Sequence, residues 1–101
     1  MLAVAQEHGG YESDTSRLVQ GQVFNRNDGP IPEAIVYLKN IKTLVVKTYI
    51  AGQDGGYRFP ALSRNVDYQI FAEHAGKRSG VKTLSAFDGR REARINLKID
   101  E

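Results

Sequence analysis

From Arg17 onward, apolar and polar residues alternate in short runs, and each run ends at a cluster of Gly, Asn, Asp or Pro. A period of two places successive side chains on opposite faces of an extended strand. Arg17 to Asn25 sets Val19, Gly21 and Val23 on one face. Ala34 to Asn40 sets Ala34, Val36 and Leu38 against Ile35 and Tyr37. Leu44 to Ala51 is β-branched and aromatic, as strands prefer. Tyr57 and Phe59 share a face of a short run that Pro60 stops, and Asp67 to His74 turns Tyr68, Ile70 and Ala72 inward. Arg78 to Ala86 is a weaker run. Arg91 to Ile99 sets Ala93, Ile95, Leu97 and Ile99 against Arg94, Asn96 and Lys98.

The breaks between runs carry turn chemistry. Asp28-Gly29 suits positive φ, and Pro30 and Pro32 bar a central strand there. Asp54-Gly55-Gly56, Ala75-Gly76-Lys77 and Asp88-Gly89 are the other turns. No stretch shows helical periodicity. Strands with turn signals about every 8–12 residues predict an all-β chain, a seven-stranded antiparallel Greek-key β-sandwich. Its expected core is Val19, Val23, Val36, Leu38, Val46, Tyr57, Phe59, Leu62, Tyr68, Ile70, Ala72, Val81, Ile95 and Leu97. The hydroxyls of Tyr57 and Tyr68 need partners there or an outlet to water.

Residues 1–16 do not join this pattern. They are polar, contain Gly9 and Gly10, and predict a flexible leader ahead of a domain at 17–101. Ala3-Val4-Ala5 before Gln6 has the small-x-small form of a signal-peptidase site, though no full signal peptide precedes it. An extracytoplasmic location, periplasmic or secreted, is the corresponding expectation.

The order of the core and turn residues adds a resemblance. Gly21-x-Val23 leads to Asp28-Gly29-Pro30-Ile31-Pro32, then Ala34-x-Val36-x-Leu38. Asp54-x-Gly56-x-x-Phe59, Leu62 and Tyr68-x-Ile70-x-Ala72 follow. Over residues 17–99 this resembles the carboxypeptidase regulatory-like domain, a small sandwich of the transthyretin-like (prealbumin-like) type. The resemblance implies a transthyretin/immunoglobulin-like fold and a non-catalytic role such as folding support, partner binding or carbohydrate contact. Hydroxyisourate hydrolase shares that fold, but the Tyr-Arg-Gly-Ser tetrapeptide of that enzyme does not occur here, and the chain ends Ile99-Asp100-Glu101. A small transthyretin-like hydrolase is therefore a remote alternative.

Composition narrows the chemistry further. The 101-residue chain is one domain in size, and its 41% hydrophobic and 26% charged residues are those of a globular protein. It has no cysteine, so disulfides, thiolate catalysis and Cys-type metal sites are excluded. The net charge of +2 conceals a division. Glu7, Glu12 and Asp14 give residues 1–16 a charge of −3, while all 14 Lys and Arg lie beyond, against nine acids. Those basic residues are dispersed rather than gathered in a stripe with aromatics, which argues against nucleic acid. Of two histidines, His8 lies in the leader and His74 at a strand end beside Glu73, whose side chain points the other way. Asp54 and Asp88 each precede Gly as turn caps, without the further carboxylates that calcium needs. No cofactor, metal or catalytic residue is expected.

What remains is surface. Ile35 and Tyr37 point away from the core if Val36 and Leu38 point in, and Phe71 does so if Ile70 and Ala72 point in. If their strands are neighbours, Ile35, Tyr37 and Phe71 form one outward apolar patch, the mark of a protein partner or neighbouring domain. A carbohydrate is the alternative partner, stacked on Tyr11, Tyr37, Tyr49 or Phe87, although Trp is absent.

Overall fold

The computed structural model describes residues 14–101. The expected leader falls mostly outside them. Of it only Asp14, Thr15 and Ser16 are described, exposed and without regular structure. From Arg17 the chain is all-β, folded into two sheets packed as a sandwich. The strands are β1 (Arg17–Phe24), β2 (Ile35–Asn40), β3 (Val46–Ile50), β4 (Gly56–Leu62), β5 (Tyr68–His74), β6 (Lys77–Arg78), β7 (Lys82–Leu84), β8 (Glu92–Arg94) and β9 (Leu97–Lys98). One sheet has the order β4-β1-β8, with β9 also on β1; the other has β3-β2-β5-β6, with β7 also on β5.

Alternation sets the core. β1 buries Val19, Gly21 and Val23 and leaves the residues between them half-buried. β2 buries Val36 and Leu38, and β5 buries Tyr68, Ile70 and Ala72. Tyr57, Phe59 and Leu62 close the space from β4. The sandwich also recruits Ile31, Ala34, Ala51, Leu84, Ala93 and Ile99.

Nine strands replace the seven expected because two long runs are each interrupted. Arg91–Ile99 divides into β8 and β9, and both run parallel to β1, so the sheets are not wholly antiparallel. The break has a local cause. The Ile95 carbonyl turns toward Gly21, where a Cβ would stand 1.9 Å from that oxygen. The same carbonyl accepts the Tyr57 hydroxyl, and the Gln22 N–H donates to the Asn96 side chain instead of a backbone carbonyl. Tyr68 is satisfied too, its hydroxyl accepting from the Ser63 N–H at 2.9 Å.

The weaker run 78–86 breaks at Ser79. Its buried hydroxyl accepts the Ala72 N–H at 2.9 Å, while its own N–H donates to the Ala72 carbonyl. This detour turns Val81 outward, 54% exposed, and Leu84 takes the core position expected of it. Val46, also expected inside, is 51% exposed because it pairs with Lys39 and shares that residue's outer face. Pro60 does not end β4. The strand passes through it in a bulge, with Ala61 at φ 59°, and resumes pairing at Leu62. β4 is an edge strand, where proline and bulges are tolerated.

Arg17 is the unexpected core residue, 1% exposed. Its guanidinium donates to the carbonyls of Ser85 at 2.7 Å, Val66 at 2.8 Å and Asp88 at 3.4 Å. It thereby ties the start of β1 to the β4–β5 and β7–β8 loops.

Candidate functional site

The three patch residues lie on adjacent strands, as their alternation requires. Tyr37 pairs directly with Phe71, and Ile35 with Glu73, across β2 and β5. The Tyr37 and Phe71 rings stack with centroids 4.8 Å apart and planes 15° from parallel. The Arg78 guanidinium sits 4.7 Å from the Phe71 ring centre, a cation–π contact. Glu73 closes the group, accepting from the Tyr37 hydroxyl at 3.1 Å and from Arg78 at 3.2 Å. The hydrogen bond to Glu73 raises the Tyr37 pKa above its usual value, since ionisation would set two negative groups together. Tyr37 and Phe71 are thus half-buried in contacts of their own, and Ile35 is the open member of the trio.

Ile35 continues into a larger surface. It pairs with Ile50 on β3, which is 67% exposed. Seven of the nine exposed large apolar side chains among the described residues fall between Ile35 and Ile50, on the β2–β3 hairpin. The hairpin tip presents Ile41, Leu44 and Val45, and Val46 and Ile50 follow along β3. β3 is also the edge of its sheet. The Ala51 N–H donates to Ala34 and the Asn40 N–H to Val45, so the residues alternating with these pairs point their backbone groups away from β2. Among the described residues, Val46, Thr48 and Ile50 therefore offer unpaired N–H and C=O groups beside an apolar face. Lys47, midway along the strand, is the kind of charge that discourages indiscriminate edge pairing. The unbroken apolar run Leu44-Val45-Val46 was the sequence signal for this surface, since a half-buried strand would have alternated.

Among the described residues, the candidate sugar-stacking aromatics do not gather on one face. Tyr11 lies outside the described residues. Tyr37 is stacked on Phe71, and Tyr49 stands edge-on to Phe59 with centroids 6.0 Å apart. Phe87 is 97% exposed at the tip of the β7–β8 loop.

His8 lies outside the described residues, and the other titratable groups singled out by sequence have local partners. His74 Nδ1 lies 3.0 Å from a Glu101 carboxylate oxygen. Asp54 accepts the Gly56 N–H at 2.8 Å, which caps its turn. Asp88 accepts from the Arg90 backbone N–H and side chain, and these bonds hold its carboxyl down at about 2. Among the described residues, no three His, Cys, Asp or Glu side chains gather as a metal set would require. No helix there is long and apolar enough to cross a membrane.

The other sheet carries the larger concavity, an open groove of about 440 Å³ on the β4-β1-β8 side. Gln20 of β1 pairs with Arg58 of β4 on one side and Arg94 of β8 on the other, so the three side chains form one row. Gln22, Asp54 and Tyr49 complete its polar lining. A smaller cavity of about 70 Å³ lies between Leu38, Val45, Lys47, Leu62 and Tyr68. It is well below the roughly 300–1,000 Å³ of ligand clefts.

The fold thus defines a two-sheet β-sandwich with a buried arginine and an apolar edge hairpin. No family model matches the sequence, and no curated protein does. Solved structures do match by shape. A variant of BcpA, the major pilin subunit of Bacillus cereus, superposes with a TM-score of 0.68 at 12% identity, over 86% of this chain and 30% of that one. The group B streptococcus pilus 2b backbone protein gives 0.56 at 14%, over 83% and 41%. The dioxygenase domain of a dioxygenase–carbohydrate-binding fusion from Streptomyces sp. SirexAA-E gives 0.57 at 18%, over 87% and 83%. The chain spans about a third of the length of the pilin subunit it matches. Pilus proteins and a dioxygenase share the shape, so it specifies a β-sandwich and leaves activity open.

Proposed function

We propose that this chain is a non-catalytic, extracytoplasmic β-sandwich module that binds a protein partner or a neighbouring domain through its β2–β3 hairpin. One observation carries the reading: exposed apolar side chains concentrate on a hairpin whose outer strand is, among the described residues, an unpaired sheet edge. Extended segments dock on such edges by main-chain hydrogen bonds, and flanking apolar residues supply the affinity. Ile35 belongs to the surface directly, while Tyr37 and Phe71 brace it from β2 and β5. The residue order that resembles the carboxypeptidase regulatory-like domain supports a module of that non-catalytic kind. The likeness to portions of much longer pilus subunits supports a part that works beside other domains. The small-x-small sequence at Ala3-Val4-Ala5 supports export.

A photo-crosslinking amino acid placed at Val46 or Ile50 tests this in the producing cells, with Arg58 on the opposite sheet as control. The expected result is one adduct of defined mass from the hairpin positions, absent at Arg58, with the Ile50 adduct abolished by Val46→Lys. Equal labelling from all three positions, or none from the hairpin, overturns the proposal.

A further inference from the structure

Beyond the hairpin surface, we infer that the groove across β4, β1 and β8 binds an acidic saccharide, a short glycan bearing uronate carboxylates. The row Arg58–Gln20–Arg94 spans three adjacent strands. Neighbouring strands lie about 4.8 Å apart, so the two arginine Cα atoms stand roughly 10 Å apart with the Gln20 amide between them. Neither guanidinium forms an ion pair among the described residues. Arg58 makes no side-chain hydrogen bond there, and Arg94 makes one of 3.4 Å to the Gln22 side-chain Oε1. The chain's other charged pairs are formed elsewhere, such as Arg78 with Glu73, Arg90 with Asp88 and Lys98 with Asp28. Two uncommitted guanidinium forks on one face suit carboxylates, which they bind in pairs of parallel hydrogen bonds.

The acids nearby do not fill this role. Asp54 turns its carboxylate onto its own Gly56 N–H. Glu92 lies two residues before Arg94 on the same face without bridging to it. The remaining lining matches the rest of a sugar. Gln22 is held in place, its amide donating to the Asp54 carbonyl at 2.8 Å. Glutamine amides both donate and accept, as sugar hydroxyls do. Tyr49, 41% exposed, presents a ring at the groove's rim. A groove of about 440 Å³ that is open rather than enclosed admits a few residues of a chain polymer. A lone anion would leave the glutamines and Tyr49 unused.

The test is a glycan array of uronate-containing oligosaccharides and their methyl-esterified counterparts, followed by calorimetric titration of the best uronate with the whole protein. Selective retention of uronates is expected, with affinity falling at least tenfold, about 1.4 kcal/mol, in Arg58→Gln or Arg94→Gln. Both positions are exposed, so the variants are expected to keep the wild-type melting temperature, and Val46→Lys on the hairpin is expected to bind sugar normally. Equal retention of esterified and acidic forms, undiminished binding by both arginine variants, or displacement by equimolar sulfate overturns the inference. Failure here leaves the hairpin proposal standing, because its crosslinks arise on the other sheet.

Discussion

Arg17 offers a test in which two large effects oppose each other. Arg17→Met keeps the aliphatic stem and removes the guanidinium. Two short hydrogen bonds are lost, to Ser85 and Val66, together with the longer one to Asp88. Bonds from a charged donor contribute about 1.5–3 kcal/mol each, and the abandoned carbonyls keep their desolvation cost. Against this, among the described residues no carboxylate pairs with the buried cation, and its Nε has no hydrogen-bond partner there. Replacing such a buried charge by an apolar side chain is in other settings neutral or stabilising. With three carbonyls already turned inward, the losses should dominate, leaving a net destabilisation of about 2–4 kcal/mol. For a domain of this size that lowers the melting temperature by roughly 4–8 °C for each kcal/mol. Urea unfolding followed by tyrosine fluorescence and circular dichroism reads the change, with the slope of the transition held as a check. Arg17→Lys should fall between the two, since one ammonium cannot span three carbonyls. A Met variant as stable as wild type would refute the reasoning, and a fully stable Lys variant would show that charge alone suffices.

Two further outcomes follow from the same geometry. Gly21→Ala should cost about 3 kcal/mol or more, the upper end of overpacking, because its Cβ would meet the Ile95 backbone oxygen rather than a movable side chain; a chemical melt checks this, and near-wild-type stability would contradict it. Asp88 has a folded pKa of about 2 against an ordinary 3.8, so its contribution is complete above pH 3.8 and disappears as pH falls toward 2. Asp88→Asn should therefore be less stable than wild type at pH 5 and converge with it near pH 2, and carboxyl-carbon NMR titration should place Asp88 at the bottom of the acid range.

The legibility of this chain divides along physical lines. Period-two alternation in β1, β2 and β5 fixed both the sandwich and the outward direction of Ile35, Tyr37 and Phe71, because burial on one face is a strict local constraint. It missed where pairing stops. The division of the last strand depends on Gly21, Ile95 and Asn96 meeting across some 75 residues of sequence, and the Ser79 detour depends on a hydroxyl reaching Ala72. The burial of Arg17 was not legible because its acceptors are backbone carbonyls, which no residue type announces. The Arg58–Gln20–Arg94 row was hidden for a similar reason. Its members are unremarkable one by one and become neighbours only through register.

The parallel pairing of β1 with β8 and β9 has a mechanical consequence. The chain enters the described sandwich at the Arg17 end of β1 and leaves past Lys98, beside Phe24 at the other end. Entry and exit are thus separated by the length of the strand, about 25 Å at 3.3 Å per residue. A pull on the flanking segments draws β1 backward and β9 forward along each other. The hydrogen bonds between them are then loaded together, in shear, instead of being peeled one at a time. Arg17 anchors one end of that seam, and the Ile99 N–H, bonded to the Phe24 carbonyl, anchors the other. In a tethered chain the domain would transmit tension end to end, and its lifetime under load would depend on the rate at which this seam slips.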